Sequence, residues 1–114
     1  MLPRPARLLS DRDFQKIYKR GRRVTTPHLR VFYLLSPGTV SRFGLVVPTR
    51  EVKSIARRNR LKRVLRAGLR GLLPKIGPGY EVILLARGGL LRSSPAGIQE
   101  ELRSALAKTG VLKQ

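Results

Sequence analysis

Apolar residues recur along the chain with two different periods, and the changes of period divide it into elements. Phe14, Ile17 and Tyr18 return at helical spacing after Ser10, a residue able to cap a helix start. Asp13 follows as an approximate capping-box partner, Leu9 and Phe14 can form a hydrophobic staple, and Asp11 and Asp13 suit the positive end of the dipole. Gly21 ends this first helix near Arg20. Past Pro27, Leu29 to Leu35 (LRVFYLL) has the β-branched, aromatic and aliphatic content of a strand. Ser36-Pro37-Gly38 reads as a turn, and Arg42 to Val47 (RFGLVV) as a second strand stopped by Pro48. These two strands are expected to pair as a hairpin, with a third strand running antiparallel near Arg22 to Thr26.

From about Ser54 to Leu73 the period becomes helical again: Leu61, Val64, Leu65, Gly68, Leu69 and Leu72 share one face. Gly71, Pro74, Gly77, Pro78 and Gly79 close that helix and form a short linker. Tyr80 to Ala86 (YEVILLA) is almost wholly apolar, as a strand buried on both faces should be, and Gly88-Gly89 breaks it. A last helix starts with Ser94 as cap and Pro95 at its first position, and turns Ile98, Leu102, Ala105 and Leu106 inward. The order helix, strands, helix, strand, helix predicts one α/β sandwich with helices on a sheet. Residues 1–9, with Pro3 and Pro5 beside Arg4 and Arg7, read as a flexible basic arm ahead of it.

Charge changes the picture more than composition does. The 114 residues carry 25 Lys and Arg against 6 Asp and Glu, a net charge of +19, and 18 of the cations are Arg. Hydrophobic residues at 41% are too many for a disordered polycation. With no cysteine there is no disulfide scaffold, thiolate zinc site or cysteine nucleophile, and a reducing cytoplasm suits such a chain. The lone histidine, His28, rules against a multi-histidine metal site and reads as a loop residue. The six acids are scattered or serve helix starts, so no carboxylate cluster is expected to hold metals.

The cations are placed unevenly: residues 1–79 hold 20 basic and 3 acidic side chains, the remainder 5 and 3. Such a body needs a polyanion to neutralise it. Nucleic acid is the first candidate, because each neutralised phosphate releases a condensed counterion. An anionic membrane surface is another, but no apolar run reaches the ~18–20 residues that span a bilayer. The expectation is a soluble, cytoplasmic, polyanion-binding domain.

The second helix concentrates that charge. Between Arg50 and Arg70 nine basic residues face only Glu51. Opposite the leucine face, Asn59, Arg63, Arg66 and Arg70 form a straight stripe flanked by Arg60 and Lys62. Guanidinium suits phosphate, since its planar fork donates two hydrogen bonds and is weakly hydrated. A solvated face normally mixes signs, and like charges at i,i+4 weaken a helix, so the stripe calls for a partner. Arg57 and Arg58 fall on the apolar side of the wheel: either the regular helix starts later, or both project past the sheet edge towards a ligand.

The stretch Arg42 to Arg70, RFGLVVPTREVKSIARRNRLKRVLRAGLR, resembles the protein component of bacterial ribonuclease P. The resemblance rests on Arg58-Asn59-Arg60, then Lys62-Arg63 and Arg66, preceded by Arg42-Phe43-Gly44. Phe14 and Tyr18 before Lys19-Arg20-Gly21 are similar to the family's first helix, and Tyr80-Glu81-Val82-Ile83 with Ala86-Arg87 to its last strand. Two positions depart from the family pattern: Ala67 stands where a Glu is usual, and Thr49-Arg50 where a basic pair is usual.

The resemblance implies a protein that assists a catalytic RNA in removing the 5′ leader of precursor tRNA, with hydrolysis carried by RNA-bound Mg2+. It implies a left-handed βαβ crossover around the basic helix. It also implies that Arg58, Asn59, Arg60, Lys62, Arg63 and Arg66 meet the catalytic RNA, and Arg57 and Arg70 of the same helix join them as candidates. A cleft between the first helix and the sheet would receive the leader, with Phe14, Tyr18, Arg30 and Arg50 as candidates beside either Phe32 or Tyr33. Alternation puts Phe32 on the side of Arg30, whereas the resemblance favours Tyr33, and both stay open. A structural RNA-binding protein, such as a ribosomal one, is the alternative.

Overall fold

A computed structural model of the chain describes residues 10–36 and 40–112. The expected basic arm, the Leu9 staple and most of the Ser36-Pro37-Gly38 turn lie outside the described residues. The elements follow in the order α1 (Asp11–Arg20), β1 (Arg22–Thr25), β2 (Leu29–Leu35), β3 (Arg42–Val46), α2 (Ile55–Leu72), β4 (Tyr80–Ala86) and α3 (Pro95–Thr109). Short 3-10 turns follow α2 and β4.

The helix starts form as their caps dictate. Ser10, Ser54 and Ser94 each accept a hydrogen bond from the backbone N–H three residues on, at 3.2, 3.3 and 3.1 Å. Gly21 caps α1 where the chain turns directly into β1. A Cβ there would lie 2.5 Å from the Ile17 carbonyl oxygen and 2.8 Å from that of Tyr33, so only glycine fits. Gly71, expected to help close α2, lies inside it, and Pro74 marks the 3-10 turn that follows.

Among the described residues the sheet has four strands in the order β1-β2-β4-β3. The expected third strand exists as β1 and pairs antiparallel with β2. The expected hairpin between β2 and β3 does not form. Strand β4 lies between them, antiparallel to β2 and parallel to β3. The reason is burial: β4 is the most apolar strand and belongs in the interior of the sheet, while β3, which carries Arg42, takes an edge. Helix α2 is therefore the crossover of a parallel β3–α2–β4 unit.

The two faces of the sheet are covered unequally. Val31, Val82, Leu84 and Phe43 pack under α2 and α3 against Leu61, Leu65, Leu69, Ile98, Leu102 and Leu106 in the main core. On the other face, among the described residues, Ile17 of α1 and Ile83 of β4 are the fully buried apolar side chains, with Phe14, Phe32, Leu34 and Val46 packed around them. Cross-strand register sets that second face into rows: Leu34, Glu81 and Arg42; Arg23, Phe32, Ile83 and Gly44; Thr25, Arg30, Leu85 and Val46.

Candidate nucleic-acid interface

Helix α2 presents the first surface. Its leucines point into the core, which turns Arg57, Asn59, Arg60, Arg63 and Arg70 fully outward and leaves Lys62 and Arg66 half-buried. At a helical rise, Asn59 to Arg70 spans about 16 Å. Arg63, Arg66 and Arg70 flank a shallow groove of about 670 Å³ floored by Ala67 and Gly71. The small side chain at 67 thus opens the space between guanidinium groups. Among the described residues, no cation of α2 takes part in an ion pair.

Arg57 and Arg58 part company. The helix does start at Ile55, so both lie in its first turn, where no acid offsets the dipole. Arg57 is exposed, but the Arg58 Nη1 turns back and donates to the carbonyls of Val52 and Lys53, both at 3.0 Å. Arg58 therefore fixes the loop ahead of α2. Glu51, in that loop, accepts from the Gly88 N–H at 2.8 Å and ties it to the end of β4. Arg50 stands exposed beside it, at the sheet end where Val46, Leu85 and Arg30 form the last row.

The second surface lies between α1 and the sheet. The rings of Tyr18 and Phe32 meet edge-to-face, 4.9 Å apart at 79°. Phe14 packs half-buried on the same side, and Tyr18 remains 42% exposed. Burial raises the Tyr18 hydroxyl above its usual value, so it stays a neutral donor. Arg30, on the face of Phe32, supplies a half-buried cation at this cleft, and Arg23 stands level with Phe32 on β1. The choice left open in the strand is thereby resolved: Phe32 faces α1, while Tyr33 faces away and packs on the main core. The structure does not bring Tyr33 to the cleft.

Beside the cleft lies a charge cluster that the sequence reading missed by treating the acids as scattered. Glu81 is fully buried, bonded to the Arg42 guanidinium, with Lys16 Nζ 2.9 Å from its other oxygen. Asp13 lies 3.4 Å from Arg42, so its carboxylate serves this cluster rather than a capping box. The signal was present: one acid in the otherwise apolar strand YEVILLA must be paired if the strand is buried. The cluster joins α1, β3 and β4.

His28 has a structural place. Glu101 accepts from its backbone N–H and from Thr26 Oγ1, both at 2.7 Å, and its other oxygen lies 3.0 Å from His28 Nδ1. Burial alone would raise the Glu101 carboxyl, but the hydrogen bonds from Thr26 and His28 hold it below the usual range. Among the described residues, no group of three or more His, Cys, Asp or Glu could hold a metal ion, and no helix is long and apolar enough to cross a membrane. The acids that do converge are already engaged with Arg42 and Lys16.

The family model described as Ribonuclease P matches residues 2–110. The chain belongs to the ribonuclease P protein family. Among curated members, the ribonuclease P protein component of Synechococcus sp. (strain JA-2-3B'a(2-13)) is 35% identical, over 98% of this chain and 87% of that protein. That of Microcystis aeruginosa is also 35% identical, over 97% and 96%. The RNase P protein of Staphylococcus aureus superposes with a TM-score of 0.87 at 25% identity, covering 95% of this chain and 98% of that one. The Thermotoga maritima protein gives 0.80 at 29% identity, covering 90% and 96%. The family's fold, a mixed α/β sandwich, is the fold seen here, and membership displaces the alternative of an unrelated ribosomal protein.

Proposed function

We propose that the α2 stripe binds the catalytic RNA of ribonuclease P and that the cleft under α1 holds the single-stranded leader of precursor tRNA. Family membership makes the chain the protein component of ribonuclease P, an endoribonuclease that acts in tRNA 5′ processing. In this reading hydrolysis belongs to the RNA partner and its Mg2+, while the acids that converge among the described residues, Asp13 and Glu81, are engaged by Arg42 and Lys16. The protein's share is electrostatic and geometric.

The observation that carries this reading is the cation row on α2, which is unpaired among the described residues, lies within the family motif and points outward. Arginines that find no acid within their own chain are free to replace condensed counterions on a folded RNA. The cleft supports the second half: Tyr18, Phe32 and Phe14 with Arg30 combine ring faces and a cation, the pairing that holds single strands at ~1–3 kcal/mol per stacked base. Duplex RNA would offer no free base to those rings.

The test is precursor-tRNA cleavage by the catalytic RNA at low Mg2+, with and without this protein. Stimulation is expected, and its absence would refute the reading. Replacing Arg63 and Arg66 together by Ala is expected to weaken catalytic-RNA binding and to reduce the salt slope by about 1 for each arginine. An unchanged slope would remove the stripe from the interface.

A further inference from the structure

In the cation cluster Lys19, Arg20, Arg22 and Arg23, interrupted only by Gly21, the cleft accounts for Arg23 and neither surface for the other three. Among the described residues none of the four is in an ion pair. Arg22 and Arg23 are neighbours on edge strand β1, so their side chains leave opposite faces of the sheet. Arg23 is level with Phe32 on the cleft face, and Arg22 is level with Tyr33 on the other. There, Tyr33 pairs with Val82 and Leu35 with Tyr80, which makes the two tyrosines diagonal neighbours across β2 and β4. Arg20, Arg22, Tyr33, Leu35 and Tyr80, with Thr109 of α3, line a concavity of about 410 Å³. Leu35 at this site is 62% exposed.

We propose that this concavity is a second single-stranded RNA subsite, which takes the part of the leader upstream of the segment held by Phe14, Tyr18 and Phe32. The proposal rests on the leader reading above and extends it. Its lining holds two exposed arginines and no acid, which selects an anion. Two tyrosine rings and a bare leucine beside those arginines select an anion that carries flat apolar groups, which is what an unpaired nucleotide strand offers. The two sites are continuous in the chain. Because Gly21 lets α1 turn straight into β1, Arg20 and Arg22 sit between Tyr18 and Tyr33 and make a cationic bridge around the sheet edge.

The direction follows from the topology. Strand β3 passes into α2 at the sheet end marked by Val46 and Leu85, whereas Tyr80 and Leu35 mark the opposite end. On the function proposed above, the nucleotides nearest the catalytic RNA lie towards the α2 start, so those further upstream leave towards Tyr80.

The experiment measures dissociation constants of the reconstituted holoenzyme for precursor tRNAs with leaders of about 5 and about 15 nucleotides, lengths that bracket one and two subsites. Wild type is expected to bind the long leader about tenfold more tightly than the short one, on the scale of one extra stacked base. Arg20→Ala with Arg22→Ala changes only exposed side chains, and is expected to abolish that gain while leaving the short-leader and catalytic-RNA affinities unchanged. Tyr80→Leu should act in the same direction. Equal loss at both lengths, a fall in catalytic-RNA affinity instead, or no change at either length overturns the proposal. The last outcome would leave the patch to an acidic protein surface. Phe32→Ala, measured in parallel, separates the two readings. If it weakens short-leader binding while the arginine pair does nothing, only the second subsite fails. If it has no effect, the cleft itself fails.

Discussion

Among the described residues, seventeen buried apolar side chains join in one cluster on the face covered by α2 and α3, whereas the face crossed by α1 has two, Ile17 and Ile83. The first face is held by packing, with each fully buried leucine contributing about 1.5–3 kcal/mol. The second has too few such residues to fix a helix and adds a buried carboxylate, Glu81, that draws in Arg42 from β3 and Lys16 from α1. The difference follows from what each face does. Helices α2 and α3 close their side of the sheet, and α2 then leaves only its outer surface for the RNA contact proposed above. Helix α1 covers its side in part, so the Tyr18 and Phe32 rings stay within reach of a ligand. On the proposed function this face must admit a strand, and it then cannot be sealed by apolar contact alone.

The largest effect is expected in the sealed core. Leu65→Ala, at a fully buried position of α2, should lower unfolding stability by about 2–5 kcal/mol in urea or thermal denaturation. Ile17→Ala should cost less, since its cavity opens beside a cleft into which α1 can settle. Equal losses for the two would break the comparison, because they would mean that α1 is packed as firmly as α2.

Next comes the charge cluster. Glu81→Gln keeps the shape of the side chain but removes the charge facing Arg42 and Lys16. Breaking a buried pair costs about 3–5 kcal/mol, but these two partners are 31% and 39% exposed and can regain water. A loss of about 2 kcal/mol is expected on that scale. Backbone amides of α1 should lose hydrogen-exchange protection before those of α2. Uniform loss across both helices would show that the cluster serves global stability and not the seating of α1.

Legibility in the sequence divides along the same line. The elements of the sealed side were readable because their pattern is periodic: the leucines of α2, the inward residues of α3 and the apolar run of β4 all lie where their spacing predicts. The α2 stripe was readable for the same reason, being the complement of that leucine face. What sequence could not supply was pairing between distant segments. Strands β2 and β3 are close in sequence and suggest a hairpin, yet β4 inserts between them because the most apolar strand gains most from an interior place. The Glu81–Arg42–Lys16 contacts join three elements, and no spacing along one of them announces it. Alternation put Arg30 and Phe32 on one face, but which face α1 covers required the fold. The resemblance supplied the family, and favoured Tyr33 where the strand register selects Phe32 for the cleft.

The smallest effect belongs to the clasp between α3 and the β1–β2 turn, on the sealed side. Glu101 accepts from Thr26 and His28, and these bonds hold its carboxyl below the ordinary glutamate value. A carboxyl lowered on folding stabilises the folded state at pH above its unfolded value, about 4.3, and that contribution disappears as pH falls through the lower folded value. Wild type should therefore lose some stability on acidification below about pH 4.3. Glu101→Gln should begin less stable at pH 7 and show a shallower decline, read from urea midpoints at both pH values. Because this clasp only supplements a continuous apolar core, the difference should stay below that of Glu81→Gln at pH 7. A Glu101→Gln loss larger than that would mean that the sealed face also depends on buried charge, and the contrast between the two faces would then be one of degree.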